Sequence, residues 1–279
     1  KSIEEIIENS FQKNKKSIIF LTGVPGSGKT LAGLNSVYGQ MKNKLQGTAC
    51  FLSGNGPLVD VLREALTRSE VQKSTKPIPK YLAASKVEAF VQKVHHFRDE
   101  YLSSNSFPPE KVIVFDEAQR AFDAQQVLEK QKNLNPEFSG LSEPEIFIQF
   151  ADRVPDWCVV IGLIGTGQEI HIGEEGGVAQ WKDAIFKSKS TDEWDVYIPN
   201  SDLIINDFKE INKLMIEDSL NLSKTIRFHS SIVLYEFVDN LLKGNTEESS
   251  RLSEELEGTG YNLRMTHNLD MTKQYIQER

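Results

Sequence analysis

Short apolar segments alternate with amphipathic helices along most of the chain. The apolar segments are rich in strand-forming side chains, which is typical of buried strands. They fall at 17–22, 48–52, 112–115, 157–164 and 194–197. Between them, leucine, isoleucine, valine and aromatic residues recur at helical spacing. This alternation predicts an α/β domain, and the continuous apolar run before Asp116 is typical of a parallel strand buried on both faces.

Three less regular stretches carry further predictions. Residues 81–84 have the composition of a short strand, and the next helix is predicted to bury Val87, Phe90, Val91, Val94 and Tyr101. Near the end, residues 262–266 are predicted to form a strand, followed by a helix from Asp270. The polar residues Lys243–Thr259 separate this last βα unit from the rest, so it is interpreted as the opening of a second domain.

Length and composition indicate a globular protein. The chain has 279 residues, of which 39% are hydrophobic and 26% charged, so it is long enough for one α/β domain and part of another. No apolar run is long enough to span a bilayer, and no signal peptide is visible. Because the chain begins at Lys1 and not at Met, we expect it to be a fragment or to be trimmed. Cys50 and Cys158 fall in predicted strands, which indicates reduced core thiols in a cytoplasmic protein.

The net charge bears on the partners that the protein could bind. A formal charge of −8 argues against a surface that coats a polyanion broadly. It leaves open a narrow groove for nucleic acid, because a net charge does not reveal local patches.

The most specific motif follows the first predicted strand. Its residues are Gly23-Val24-Pro25-Gly26-Ser27-Gly28-Lys29-Thr30, which fit the phosphate-binding loop pattern. Glycines let backbone N–H groups turn towards phosphate oxygens, and the following helix N-terminus adds partial positive charge. Lys29 is predicted to reach the β- and γ-phosphates and Thr30 to ligate Mg²⁺. A glycine-rich turn that matches by chance is the alternative. The sequence therefore predicts binding of ATP with Mg²⁺.

Two carboxylates follow the strand at 112–115. Asp116 and Glu117 lie where open α/β sheets place their ligands. Asp116 is predicted to hold Mg²⁺ beside Thr30, and Glu117 to take the proton of the attacking water. The alternative for an isolated Asp-Glu pair is a helix N-cap with an acid in the first turn.

A glycine-containing polar loop follows the strand at 157–164. It comprises residues 165–171 and contains Gln168, a residue type that senses the γ-phosphate or positions water in other NTPases. A simple turn is the alternative.

Taken together, four segments resemble the motifs of superfamily-one helicases in order. They are Gly23–Thr30, 116–120 (Asp-Glu-Ala-Gln-Arg), 165–171 (containing Gly-Gln-Glu-Ile-His) and 222–227. More narrowly, the chain resembles a bacterial P-loop domain family of unknown function that is grouped with the helicase-like domain of Schlafen proteins.

The resemblance covers nearly the whole chain, and it implies a RecA-like P-loop NTPase core with a central parallel sheet. It implies a first RecA-like ATP-binding domain at 1–220, followed at 221–279 by a linker and the start of a second RecA-like domain. It also implies that Ser53, Gly54 and Asn55 touch nucleic-acid phosphates and that Arg227 is an arginine finger. Without the resemblance, Arg227 is an ordinary surface arginine and 53–55 an ordinary turn.

Three functions are consistent with these features of the sequence. The first is a Mg²⁺-dependent ATP hydrolase of helicase type that acts on single-stranded DNA or RNA. The second is an ATP-driven switch that controls a protein partner or a fused domain without nucleic acid. The third is a small-molecule or polynucleotide kinase, since the phosphate loop is shared. The position of Glu117 beside Asp116 favours activation of water over transfer to an acceptor. No membrane partner is expected.

Overall fold

The chain divides into two compact units, Lys1–Thr225 and Ile226–Arg279. A computed structural model describes residues 2–42, 48–74, 77–103, 108–130, 140–165, 177–188, 193–222, 232–264 and 266–277. The first unit holds the sheet. The interpretation of the second unit as the start of another RecA-like domain stays a prediction.

All five strands expected from the apolar runs are present in the first unit, joined by three short ones. In chain order the strands are β1 Lys16–Gly23, β2 Thr48–Ser53, β3 Val91–Lys93, β4 Glu110–Phe115, β5 Cys158–Gly165, β6 Trp194–Ile198, β7 Leu214–Ile216 and β8 Asn221–Leu222. They form one parallel sheet in the order β3-β2-β4-β5-β1-β6-β7, and β8 pairs with the end of β1. The predicted α/β class with a central parallel sheet is confirmed.

Helices connect the strands and form the second unit. They are α1 Ile3–Gln12, α2 Lys29–Lys42, α3 Gly56–Lys73, α4 Lys80–Phe90, α5 Val94–Ser103, α6 Ala124–Lys130, α7 Glu143–Arg153, α8 Ala179–Lys187, α9 Asp202–Phe208, α10 Ile232–Leu242, α11 Thr246–Gly258 and α12 Leu269–Gln277.

Burial on both faces explains the continuous apolar character of the central strands. Side chains of β1 alternate between two cores: Ile18 and Phe20 pack with side chains of α5, α7, α8 and α9, whereas Ile19 and Leu21 pack with side chains of α1 to α4. Because helices cover both faces of the sheet, the central strands carry apolar side chains on both faces.

A glycine sets the distance between α2 and the sheet. A Cβ on Gly33 would lie 2.8 Å from Leu163 Cδ1 and 2.9 Å from Val114 Cγ1. The helix that follows the predicted phosphate loop therefore packs its backbone directly against β4 and β5, which fixes its N-terminus at the edge of the sheet.

Two predictions in the first unit are wrong. Residues 81–84 form the start of α4, in agreement with the helix-favouring leucine and alanines there. The single helix predicted from Val87 to Tyr101 is broken by β3, which pairs with residues 51–53 of β2. Pairing with a distant strand overrides the helical spacing of the local sequence.

The second unit also differs from its prediction. The polar stretch Lys243–Thr259 contains α11, which buries Ser249, Leu252 and Leu256 at helical spacing. Residues 262–264 and 266 are not in a strand, so the described part of the predicted strand at 262–266 is wrong, whereas the terminal helix is confirmed as α12. Within the described ranges, no helix is long and apolar enough to cross a membrane.

Candidate active site at the carboxyl edge of the sheet

The predicted phosphate loop lies between β1 and α2, as its motif requires. Gly26 and Gly28 have φ values of 77° and 94°, a left-handed conformation that glycine adopts without steric cost. The Ser27 N–H donates to the Val24 carbonyl oxygen at 3.1 Å, which closes the turn. The glycines at 26 and 28 are therefore needed to turn the chain from the strand into the helix.

The inside of the loop has features that suit an anion. A Cβ on Gly23 would lie 2.5 Å from Ser27 Oγ and 2.8 Å from the Leu222 carbonyl oxygen, so only glycine fits at this position. Ser27 Oγ is buried and has no hydrogen-bond partner among the described residues. An unsatisfied buried hydroxyl is costly, and a phosphate oxygen would satisfy it. The residues present therefore fit a bound phosphate.

Lys29 is held by the loop itself. Its Nζ donates to the carbonyl oxygens of Gly23 at 2.6 Å and Val24 at 3.2 Å. Burial lowers the pKa of Lys29, while the charges of Glu117 and Asp116 act in the opposite direction. The ammonium is therefore close enough to both carboxylates for their charges to affect its pKa. The two predicted motifs thus lie at the same edge of the sheet.

Asp116 directly follows β4 and is buried. Its N–H donates to the Leu52 carbonyl oxygen at 2.8 Å, and Ser53 Oγ donates to its Oδ2 at 3.3 Å. Burial and, secondarily, the charge of Glu117 raise the pKa of Asp116 to about 6, against the opposing effects of Ser53 and Lys29. A carboxylate that is held in place and poorly solvated is suited to bind a cation.

Glu117 has an unusual backbone. Its φ and ψ are 54° and 49°, in the left-handed region that a non-glycine residue adopts at a cost of about 1–3 kcal/mol. Its carboxylate accepts a hydrogen bond from Gln119 Nε2 at 2.6 Å. Gln119 Oε1 in turn accepts from the Gly165 N–H at 3.1 Å. The position of Gln119 in the sequence does not predict this role, because its partner on β5 is distant in the sequence.

Residues 53–55, predicted to touch nucleic acid, do not all face solvent. Ser53 is buried, and its Oγ also accepts from the Asn55 N–H at 3.2 Å. Gly54 is exposed, with no atom within 4 Å of the position of a Cβ. Asn55 is exposed and caps α3, because its Oδ1 accepts from the Leu58 N–H at 3.1 Å. The geometry thus connects Ser53 to Asp116 and leaves Gly54 and Asn55 accessible.

A cavity of about 570 Å³ lies beside these residues. It is lined by Ser53, Gly54, Asn55, Val94, His95, Phe115, Asp116, Glu117, Arg120, Phe122 and Glu143. A buried ion pair supports one wall: Arg98 Nη1 donates to Glu143 Oε1 at 2.8 Å, and the second carboxylate oxygen accepts from the Phe122 N–H at 3.1 Å. Arg98 therefore holds the segment that follows the two carboxylates.

The segments 165–171 and 222–227, which also resemble helicase motifs, both begin beside the phosphate loop. Gly23 pairs with Gly165 at the end of β5 and with Leu222 at the end of β8. Gln168 and Arg227 themselves lie outside the described residues. The structure therefore brings together the ends of β1, β5 and β8, and the first residues of both segments lie within this group.

A parallel sheet with this loop at the end of β1 and two carboxylates at the end of β4 is typical of a RecA-like core. The family model of the Schlafen group 3 DNA/RNA helicase domain matches residues 16–279, and the chain belongs to this family.

Among the solved structures that match the chain is the helicase domain of Hef from Pyrococcus furiosus. It is 16% identical in sequence, with a TM-score of 0.37, and the match covers 81% of this chain and 39% of that chain. No curated protein sequence matches.

Proposed function

We propose that the protein is a Mg²⁺-dependent ATP hydrolase of helicase type that acts on single-stranded DNA or RNA. The observation that carries this proposal is the position of Lys29: a buried ammonium, held by the carbonyls of a glycine loop, lies within the field of Asp116 and Glu117. Membership of a DNA/RNA helicase domain family supports the same function.

The residues of the loop would bind the triphosphate. The backbone N–H groups of Gly26, Gly28, Lys29 and Thr30, together with the N-terminus of α2, would supply positive potential for phosphate oxygens. Lys29 would exchange the carbonyl oxygens of Gly23 and Val24 for phosphate oxygens, which are better partners for an ammonium. The Ser27 hydroxyl would gain the partner that it lacks among the described residues.

Thr30 and Asp116 would hold Mg²⁺. Thr30 is half-buried in the first turn of α2, and Asp116 is fixed by the hydrogen bond from Ser53. When bound, Mg²⁺ neutralises charge on the transferred phosphoryl group and favours its orientation for attack. The raised pKa of Asp116 fits this role, because a cation would offset the poor solvation of the carboxylate.

Glu117 would act as the general base and take a proton from the attacking water. Its carboxylate is half-buried and oriented by Gln119. We propose Gln168 as the residue that positions this water and Arg227 as an arginine finger that stabilises charge on the phosphoryl oxygens.

The nucleic acid would pass the exposed Gly54 and Asn55 beside the cavity. Contacts of short polar side chains and backbone N–H groups with phosphates position a strand without discrimination between bases. Binding is therefore expected to be largely independent of sequence and to weaken with salt.

A protein-directed switch is the second candidate. The net charge of −8 and the exposed apolar side chains on α10 and α12 favour it. These side chains are Val238, Leu241, Leu242, Leu269, Met271 and Tyr275.

Titration of single-stranded DNA and RNA against ATP turnover at low salt distinguishes the two functions. The helicase function predicts that nucleic acid stimulates turnover in the parent protein and that Lys29→Ala has no turnover. Turnover that no nucleic acid changes would favour the switch. Parent-level turnover in Lys29→Ala would exclude the loop as the site of hydrolysis.

A further inference from the structure

The side chain of Gln119 bridges the ends of two neighbouring strands. It lies in the turn after β4 and is only 1% exposed. Its Nε2 donates to Glu117 Oε2 at 2.6 Å, and its Oε1 accepts from the backbone N–H of Gly165, the last residue of β5, at 3.1 Å. We propose that Gln119 is a positioning residue, which sets the orientation of the Glu117 carboxylate and couples it to the end of β5. This inference depends on the proposed function, in which Glu117 is the general base.

The two partners fix the orientation of the amide. A carboxylate accepts hydrogen bonds and a backbone N–H donates one, so only one of the two amide orientations satisfies both. The reverse orientation would place Oε1 against the Glu117 carboxylate and an NH₂ group against the Gly165 N–H. Among the twenty side chains, glutamine offers this donor and acceptor at this length, since asparagine is shorter by one methylene.

The turn that carries Gln119 is itself held in place. The Trp181 indole N–H donates to the Ala118 carbonyl oxygen at 2.9 Å. On the other side, a Cβ on Gly162 would lie 3.2 Å from Ala118 Cβ, so the turn packs closely against β5. The amide of Gln119 therefore starts from a fixed backbone.

Glu117 needs this support more than a residue in a regular strand or helix would. Its left-handed backbone places it outside the preceding strand, and its side chain is only half-buried. A general base must lie within hydrogen-bond reach of the proton that it takes. The short hydrogen bond from Gln119 restricts the Glu117 carboxylate to one orientation. A displacement of the end of β5 would be transmitted to this carboxylate through the amide group of Gln119.

Steady-state kinetics of Gln119→Met tests the bridge. Methionine keeps the approximate volume and removes both hydrogen bonds. We expect kcat to fall by about 10- to 100-fold, which is the range for a hydrogen bond to a charged group. The KM for ATP and the affinity for a fluorescent ATP analogue should stay at the parent values, because Gln119 does not contact the phosphate loop through either bond. Gln119→Asn, which cannot span both partners, should lose kcat in the same way.

A double variant distinguishes positioning from a separate structural effect. If Gln119 acts through Glu117, then Glu117→Gln combined with Gln119→Met should be no slower than Glu117→Gln alone. Gln40→Met is the matched control, since Gln40 is also a buried glutamine, on α2, and it should keep the parent kcat. All variants are compared at equal folded fraction, measured by thermal unfolding.

Three results would overturn the inference: a parent-level kcat in Gln119→Met, a further loss in the double variant, or an equal loss of ATP affinity and kcat. Failure of the proposed function looks different. In that case Lys29→Ala and Glu117→Gln would themselves keep the parent turnover.

Discussion

Lys29 Nζ donates to the carbonyl oxygen of Gly23 at 2.6 Å, so the lysine near the end of the glycine loop is bound to the residue that begins it. The bond keeps a buried ammonium satisfied without an anion. Burial lowers the pKa of Lys29, which shows that this environment solvates the charge poorly. A triphosphate in the loop would replace the carbonyl oxygens with charged ones, so the free loop is ready for an anionic ligand.

Replacement of this lysine should remove nucleotide binding. Lys29→Ala is expected to abolish measurable ATP binding and hydrolysis, because the loop then lacks its only side-chain cation in residues 23–30. Isothermal titration calorimetry with ATP and Mg²⁺ measures the loss. Lys73→Ala, at an exposed position near the end of α3, is the control and should bind as the parent does. Equal affinity in both variants would contradict the assignment of the loop.

Glu117→Gln should separate binding from hydrolysis. The amide keeps the shape of the side chain but cannot take a proton, so turnover should fall by about 10²–10⁴-fold, the usual contribution of a general base. ATP should still bind, and the purified variant should hold unhydrolysed ATP, which chromatography of the released nucleotide detects. Unchanged turnover would place the base elsewhere, and Gln168 would then be the first residue to test as the group that positions water.

Asp116→Asn should stabilise the metal-free protein at neutral pH. The pKa of Asp116 is raised from 3.8 to about 6, so the folded state binds this proton more tightly than the unfolded state does. The free energy of unfolding therefore falls as the pH rises from about 4 to 6, and the loss persists above pH 6. Asparagine carries no charge, and it should regain about 2–3 kcal/mol at pH 7.5.

Urea unfolding of both proteins between pH 4 and pH 8 measures this difference. The gain in Asp116→Asn should shrink towards pH 4. The comparison is needed because burial also raises the pKa of Glu110 to about 6, and this effect is common to both proteins. With Mg²⁺ and ATP added, the parent should gain more stability than the variant. A variant less stable than the metal-free parent at pH 7.5 would contradict the prediction.

Removal of one partner of the buried ion pair should destabilise the fold. The side chains of Arg98 and Glu143 are 3% and 5% exposed, and their charged atoms lie 2.8 Å apart. Arg98→Met would leave the carboxylate buried without its cation, at an expected cost of about 3–5 kcal/mol. Arg98→Met with Glu143→Gln should recover part of this loss, because glutamine still accepts from the Phe122 N–H. Lys243→Met, in an exposed pair with Asp239, is the control that should not change the unfolding midpoint.

Local chemistry explains why much of this site was predictable. The apolar residues of β1, β4 and β5 indicate buried strands without knowledge of their neighbours. Gly26 and Gly28 indicate a loop whose backbone no other residue adopts easily. Asp116 follows a buried strand directly, so its position at the sheet edge follows from the strand alone.

Relations between distant segments were not predictable in this way. The bond from Ser53 to Asp116 depends on the pairing of β2 with β4, and the bridge by Gln119 depends on the adjacency of β4 and β5. The break in the helix predicted from Val87 has the same origin, because β3 forms by pairing with β2. In each case the deciding partner is far away in the sequence.

Asn55 offers a clean test of the nucleic-acid path, because its role in the fold can be kept while its charge is changed. Its Oδ1 caps α3, and aspartate and serine cap helices about as well as asparagine does. Asn55→Asp should therefore fold with the parent stability but repel a phosphate near the exposed side chain. Asn55→Ser, which caps without charge, is the matched control.

We expect single-stranded DNA or RNA to stimulate ATP turnover in the parent and in Asn55→Ser at low salt, and to stimulate Asn55→Asp much less. The difference should decrease as salt is added, since salt weakens the attraction of phosphates in every variant. Basal turnover and the unfolding midpoint should be the same in all three proteins. Full stimulation of Asn55→Asp would mean that the strand does not pass residues 54 and 55. An active parent that no nucleic acid stimulates would instead favour a protein partner. The exposed apolar residues of α10 and α12 would then be the first surface to test for binding of that partner.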